Sequence, residues 1–319
     1  MNISIIVPIY NNALTINQLY EEISDVFDKL DKSFEIIFIN DGSKDDSWKI
    51  ISALQKKDPH IKAVDFRRHY GESASLQAGF DISKGDYVLT ISATLENDPK
   101  DLLNLFEKVS NKENDMVIGV RKGRYDGRPF AKLKSDLARV IISYVAKQEF
   151  SDVTSPIRAM EREVVQNMRL FGDAYMYIPV LATLYGANFE EVEIRHLKPK
   201  VAYHEASKVN FFKFIFDIIF LKFFVSATTP PFNLTPMRLF GGLGTFSALL
   251  GILGGIYLTY QKLFLGMDIG TRPMLILSVL LLILGAMFIV FGVLGEIIIR
   301  SYFESHDKLT YTTRDKLIT

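Results

Sequence analysis

Five short polar clusters in the first 121 residues carry side chains able to do chemistry. They are Tyr10-Asn11-Asn12, Asn40-Asp41-Gly42-Ser43, Arg67-Arg68-His69-Tyr70-Gly71, Ser92-Ala93-Thr94-Leu95-Glu96-Asn97-Asp98-Pro99, and Arg121. Neither G-x-G-x-x-G nor G-x-x-x-x-G-K-[ST] occurs, so dinucleotide and P-loop readings lack their signatures. Asp41-Gly42-Ser43 also stands just before a helical stretch, where Asp45 or Ser47 would serve equally as ordinary N-caps. The chain has no Cys, which excludes a disulfide framework, a thiol nucleophile and a Cys-ligated metal. Lys+Arg 37 balance Asp+Glu 37, and a net charge of +0 argues against a dedicated nucleic-acid binder.

The elements that must position these clusters read clearly. Apolar runs rich in β-branched residues predict strands over Ile3–Ile9, Phe34–Ile39, Lys62–Phe66, Tyr87–Ile91 and Asp115–Val120. Helical stretches follow at Thr15–Leu30, Ser47–Gln55 and Ser73–Ile82, the first with Leu19, Ile23, Val26, Phe27 and Leu30 on one stripe. Such alternation predicts an α/β fold, a mainly parallel sheet with helices on both faces. Every polar cluster then falls at the carboxyl end of a strand, where open α/β sheets bind ligands. That coincidence, five times over, points to a nucleotide site.

Hydrophobic residues make up 48% of the 319, and the excess lies in the last third. Leu239–Gln261 and Pro273–Gly295 contain no charge, and each exceeds the roughly 20 residues a helix needs to cross a bilayer. They predict a transmembrane hairpin joined through Lys262–Arg272, and Gly241, Gly242, Gly244, Gly251, Gly254 and Gly255 would let its helices approach closely. Lys208, Lys213, Lys222, Arg238, Arg300 and Lys308 flank the outer ends, which the positive-inside rule places in the cytoplasm, although Lys262 and Arg272 reduce the bias. Met1-Asn2-Ile3-Ser4 has no basic leader, so the expected location is the plasma (inner) membrane with the first domain cytoplasmic. Asn210–Val225, with seven Phe, reads as an interfacial amphipathic helix or as a buried helix of the first domain. The expected organisation is residues 1–206 as the ligand-binding domain, 207–236 as the interfacial segment, 237–304 as the two spans and 305–319 as a cytoplasmic tail.

VPIYNN at Val7–Asn12, INDGSKDDS at Ile39–Ser47, RRHYGE at Arg67–Glu72, LQAGFD at Leu76–Asp81 and the late Ser207-Lys208 form an ordered set. Together they resemble family 2 glycosyltransferases of the GT-A fold. The terminal hairpin after a Phe-rich segment narrows the resemblance to polyprenyl-phosphate glycosyltransferases, the group of dolichyl-phosphate mannose synthases and bactoprenol glucosyltransferases. The resemblance implies transfer of one sugar from a nucleotide-sugar, UDP- or GDP-linked, to a polyprenyl phosphate on the cytoplasmic face. Pro8, Tyr10 and Asn11 would line the base pocket and Asp41 would bind base or ribose. Ser43 and Arg68 would lie near the nucleotide, while Arg121, Arg158 and Lys208 would face phosphates of donor or acceptor. No nucleic acid is expected as a partner, and a homo-oligomer is compatible with the sequence.

Two departures from the family pattern bear on chemistry. The family places D-x-D at the end of the fourth strand, where two carboxylates hold Mg²⁺ or Mn²⁺ against the diphosphate. Here Ser92 and Thr94 replace both, and the nearest carboxylate at a family ligand position is Glu96. Thr154-Ser155-Pro156-Ile157-Arg158 replaces T-G-D-F-R, so the acceptor Asp is lost and only Arg158 survives. A phosphate monoester, with a second pKa near ~6, needs positioning more than a general base. Two further readings stand beside the enzyme with metal held by Glu96. One is a degenerate glycosyltransferase acting as a nucleotide- or lipid-binding partner subunit. The other is a chain-elongating synthase, which would need longer acceptor machinery and more spans.

Overall fold

The computed structural model describes residues 2–30, 32–122, 139–140, 142–143, 148–170, 172–184, 186–197, 236–266, 268, 270, 273–304 and 313–317. By its contacts the chain divides into two compact units, Met1–Phe214 with Leu309–Thr319, and Ile215–Lys308.

The first unit is built on β1 (Ile3–Ile9), α1 (Ile16–Phe27), β2 (Phe34–Asn40), α2 (Ser47–Gln55), β3 (Ile61–Phe66), α3 (Glu72–Ile82) and β4 (Tyr87–Thr90). It continues with α4 (Pro99–Ser110), β5 (Met116–Lys122), β6 (Arg158–Glu161), α5 (Arg162–Asn167), a 3-10 turn (Ala174–Tyr177), α6 (Ile178–Leu184) and β7 (Phe189–Arg195). The five expected strands and three expected helices are present within one or two residues, apart from the C-terminal end of α1, which stops at Phe27 rather than Leu30. Strand order is β7-β5-β6-β4-β1-β2-β3-β8, where β8 is Thr313–Leu317. β4-β1-β2-β3 and β5-β7 pair in parallel, whereas β6 runs antiparallel between β4 and β5, and β8 antiparallel along β3. The sheet is therefore mainly parallel, as expected, with three strands the apolar pattern had not indicated.

Burial explains why β1 to β4 form where they do. β1, β2, β3 and β4 are almost wholly enclosed, as a sheet covered on both faces requires. Helix α1 lays Ile16, Leu19, Ile23 and Phe27 onto it, while Val26 and Leu30 sit half-buried at the margin. Asp98 caps α4, its side chain accepting from the Lys100 amide at 3.0 Å with Pro99 in the first helical position. The loop between β4 and α4 is thus pinned at its α4 end, and its Leu95 takes φ +56° with the side chain buried.

The second unit contains two helices, α7 (Pro236–Phe264) and α8 (Pro273–Glu304). Both are long and apolar enough to cross a membrane, and both exceed the expected spans. Gly244 and Gly285 bring the two backbones together: a Cβ on Gly244 would stand 2.6 Å from the Gly285 carbonyl. Ser247 Oγ donates across the pair to the Leu281 carbonyl at 2.9 Å. Of the glycines expected to permit close approach, Gly244, Gly251 and Gly254 face α8, while a Cβ on Gly242 or Gly255 would meet nothing within 4 Å. Asn210–Val225 and Lys208 lie outside the described residues.

Candidate functional site

The carboxyl ends of β1, β2 and β3 are sewn into one corner by side chain to backbone hydrogen bonds. Asn11, at φ +53°, donates its amide to Ser43 Oγ at 2.9 Å, and its own Oδ1 accepts from the Lys44 amide at 2.8 Å. Asn12 donates its amide to Ser47 Oγ at 3.1 Å, and its Oδ1 accepts from the Tyr10 amide at 3.0 Å. Asp45 accepts from the Ala13 and Ser47 amides. Burial alone would raise its pKa, but these bonds and the Ser47 hydroxyl hold it below the ordinary value. Asp45 and Ser47 thus lock the turn, and neither is the N-cap of α2 that the plainer reading made them: that position is held by Asp46, with no side-chain capping bond.

Asp41 is buried at 2% exposure, and its carboxylate works on the loop after β3. Oδ1 accepts from the Tyr70 amide at 2.7 Å and Oδ2 from the Gly71 amide at 2.8 Å, with His69 Nδ1 2.9 Å from Oδ2. This fixes the His69 ring against Tyr10, the centroids 4.1 Å apart and stacked. Arg68 is exposed and lies over the Tyr70 ring at 4.9 Å. Gly42 is required here: its φ is +63°, and a Cβ would stand 2.7 Å from the His69 amide nitrogen. Pro8, half-buried on β1 opposite Ile39, backs the corner. Pro8, Tyr10, Asn11, Asp41, Ser43 and Arg68 are therefore brought together, with His69 and Asn12 as members that sequence reading had not singled out.

A second group forms at the ends of β4 and β5. Ser92 Oγ and Thr94 Oγ1 are 2.8 Å apart and bonded to each other. Glu96 is nearly buried, with its Oε1 3.9 Å from Arg121 Nη1. Arg121, 8% exposed, makes a two-point pair with Asp152, Nε to Oδ2 at 2.7 Å and Nη2 to Oδ1 at 2.9 Å, and Nη2 also donates to Thr154 Oγ1 at 3.1 Å. Asp152 was legible only as a carboxylate six residues before Arg158, matching no motif. Arg158 opens β6 at the same edge, opposite Thr90, and is enclosed at 2% exposure with Nη2 donating to the Tyr175 carbonyl at 3.3 Å. Just beyond the loop, burial and the neighbouring Asp98 push the Asp101 carboxyl up to about 6. Lys208 lies outside the described residues.

Do these residues fit the divalent metal that the family resemblance implies? Among the described residues, no three His, Cys, Asp or Glu side chains come together. The hydroxyls of Ser92 and Thr94 are neutral and already satisfy one another. Of the two carboxylates of the loop, Asp98 caps α4 and Glu96 faces a guanidinium, whose charge opposes a second cation beside it. Both Asp152 oxygens are engaged by Arg121. Hard dications need several charged oxygens converging on one point, whereas Asp98 is engaged in that cap and Asn97, buried with its amide unpartnered, brings only a neutral oxygen. The described residues do not fit the ion.

The sequence matches the family described as Glycosyl transferase family 2 over residues 4–169. It is 28% identical to a dodecaprenyl-phosphate galacturonate synthase of Rhizobium johnstonii, covering 98% of this chain and 92% of that protein. It is 30% identical to an undecaprenyl-phosphate 4-deoxy-4-formamido-L-arabinose transferase of Sodalis glossinidius, covering 94% and 89%. The fold resembles that of glucosyl-3-phosphoglycerate synthase from Mycobacterium tuberculosis, solved with Mn²⁺ and UDP-glucose, at a TM-score of 0.52 and 17% identity, covering 69% of this chain and 78% of that one. The GT-A architecture expected from the sequence is thereby borne out, with β6 inserted antiparallel into a parallel sheet. A family match spanning more than half the chain, two relatives aligned over nine-tenths of it, and a polar edge built as that fold requires lead to one assignment: the chain belongs to glycosyl transferase family 2.

Proposed function

We propose that this protein is a membrane-embedded enzyme of the plasma (inner) membrane. It moves one sugar from a nucleoside-diphosphate sugar to a polyprenyl phosphate on the cytoplasmic face. The observation that carries the reading is end-to-end similarity to proteins named as polyprenyl-phosphate sugar transferases, which reaches 98% of this chain and so takes in α7 and α8. The corner formed by Tyr10, Asn11, Asp41, Ser43 and the Arg68–Gly71 loop receives the nucleoside. The Ser92–Glu96 loop and Arg121 border the diphosphate, and Arg158 with Lys208 serves the phosphates of donor or acceptor.

The chemistry asks little of a general base. An oxygen of the lipid phosphate, largely ionised at neutral pH, attacks the anomeric carbon. The bond from that carbon to the diphosphate oxygen breaks, and the electron pair leaves with the nucleoside diphosphate. Catalysis then rests on alignment and on stabilising the departing charge, which fits a site where T-G-D-F-R has lost its Asp. The silent-partner reading finds no support among relatives named as synthases and transferases.

The test is transfer itself. Purified protein in detergent is given undecaprenyl phosphate and a panel of radiolabelled UDP- and GDP-sugars. One donor is expected to yield a chloroform-soluble, mild-acid-labile sugar lipid. Absence of such a lipid across the panel, with nucleotide still bound, would refute the activity.

A further inference from the structure

The mismatch between the loop after β4 and a divalent ion has a consequence for how the donor is held. We infer that this chain binds the diphosphate of its donor without a divalent cation. Arg121, fixed by Asp152 and facing Glu96, is the resident cation of that edge. The inference rests on the nucleotide-sugar reading above and adds the means of charge neutralisation to it.

Two lines of argument support it independently. The first is charge balance. The family motif places two carboxylates at the strand end, and they cancel the charge of one dication. Ser92 and Thr94 remove those two negative charges. Removing the ion together with those two carboxylates leaves no uncompensated charge at either position for a cation to neutralise. Retaining the ion without them would leave it held by neutral oxygens, a weak arrangement for a hard cation.

The second is geometry. Two carboxylates at the ends of β4 and β5 do address a cation, but it is a guanidinium. Asp152 holds it at 2.7 and 2.9 Å, Thr154 Oγ1 adds a contact at 3.1 Å, and Glu96 Oε1 stands 3.9 Å from Nη1. Arg121 is the penultimate residue of β5, and its backbone amide also points to Asp152 Oδ2 at 3.4 Å. The group is therefore preorganised by strand and loop together, with 4% of its side chain exposed. A guanidinium in a fixed orientation is well matched to phosphate oxygens, and it needs no reorganisation when charge develops on the leaving diphosphate.

The test uses full-length protein in detergent with UDP and GDP, followed by calorimetry in EDTA and in MnCl2, and by the Mn²⁺ spin-resonance signal. The nucleotide that binds is expected to show dissociation constants agreeing within about twofold under the two conditions. The free Mn²⁺ signal should be the same with protein plus nucleotide as with nucleotide alone. The double variant Ser92→Asp, Thr94→Asp is expected to gain a tenfold or larger Mn²⁺ dependence together with loss of free Mn²⁺ signal. The pair Arg121→Gln, Asp152→Asn removes both charges of the two-point pair, leaves Glu96 without its cation, and should weaken nucleotide binding in EDTA at least tenfold. Tightening of the parent by tenfold or more in Mn²⁺ would overturn the metal-free inference while leaving the proposed function standing. Unchanged affinity in the Arg121–Asp152 pair variant would overturn the part given to Arg121. No binding of either nucleotide under any condition would overturn the proposed function and this inference with it.

Discussion

Asp41 directly follows β2, where a base or ribose would sit, yet both its oxygens accept amide hydrogens from Tyr70 and Gly71. Its contribution to a ligand is therefore made partly through the loop it holds, which keeps His69 stacked on Tyr10. Removing a buried charged acceptor of two amides costs about 1–3 kcal/mol. Asp41→Ala should lower the unfolding midpoint and weaken UDP or GDP binding, read by thermal melts and calorimetry on the same sample. Asp41→Asn, which retains one carbonyl acceptor, should fall between. Nucleotide affinity untouched in both would take Asp41 out of the site and leave it a purely architectural residue. Asp152 shows the converse, a side chain without a recognisable motif that holds Arg121 at two points.

At the scale of elements, four pieces of backbone meet at Glu35 on β2. Its Oε1 accepts from Ser4 Oγ of β1 at 2.6 Å and from the Lys84 amide before β4 at 2.8 Å, while Oε2 pairs with Lys62 of β3. Burial alone would raise the Glu35 pKa, but Lys62, Ser4 and the Lys84 amide together hold it below the ordinary value of 4.5. A depressed folded pKa means stability that is present above the unfolded value and lost as pH falls through the folded one. Glu35→Gln should cost about 3 kcal/mol at pH 7, leaving Lys62 buried without its counter-charge. The gap between parent and variant should then shrink as pH falls below about 4.5. Urea midpoints measured from pH 3 to pH 7 would show it, and a gap independent of pH would contradict the assignment.

For the whole molecule, the two apolar helices and the fold of the first unit make opposite demands on solvent. Exposed leucine, isoleucine and phenylalanine crowd α7 and α8, so the full chain is expected in the membrane fraction and in detergent extracts. A chain ending at Ala206 loses those helices and should leave the membrane fraction. It also loses β8, which lies antiparallel along β3 with Ala63 opposite Leu317. An uncovered strand edge is a template for pairing with another chain. The shortened protein should therefore self-associate at concentrations where a version carrying residues 309–319 fused after a short linker stays monodisperse by light scattering. Equal behaviour of the two would mean that β8 contributes nothing to covering the edge.

What the sequence determined by itself was whatever local pattern can encode. Continuous apolar runs announced β1 to β5, because a strand buried on both faces admits little else. Charge-free stretches of 23 residues announced α7 and α8, although both helices run on past them through charged residues such as Arg238, Lys262 and Glu296. The polar residues at the strand ends were legible as a site because parallel topology delivers all of those ends to one edge. Tertiary structure alone decided the rest. β6 is four residues opening with an enclosed arginine, and β7 alternates Glu and Arg with apolar residues, so neither reads as a buried run. Their strandhood comes from neighbours across the sheet. Asp41 finds its partners 29 and 30 residues onward, and Arg121 finds Asp152 31 residues onward. Side chain period fixes which face a residue occupies, but strand order fixes which distant residue it meets there, and that order is set by packing of the whole sheet.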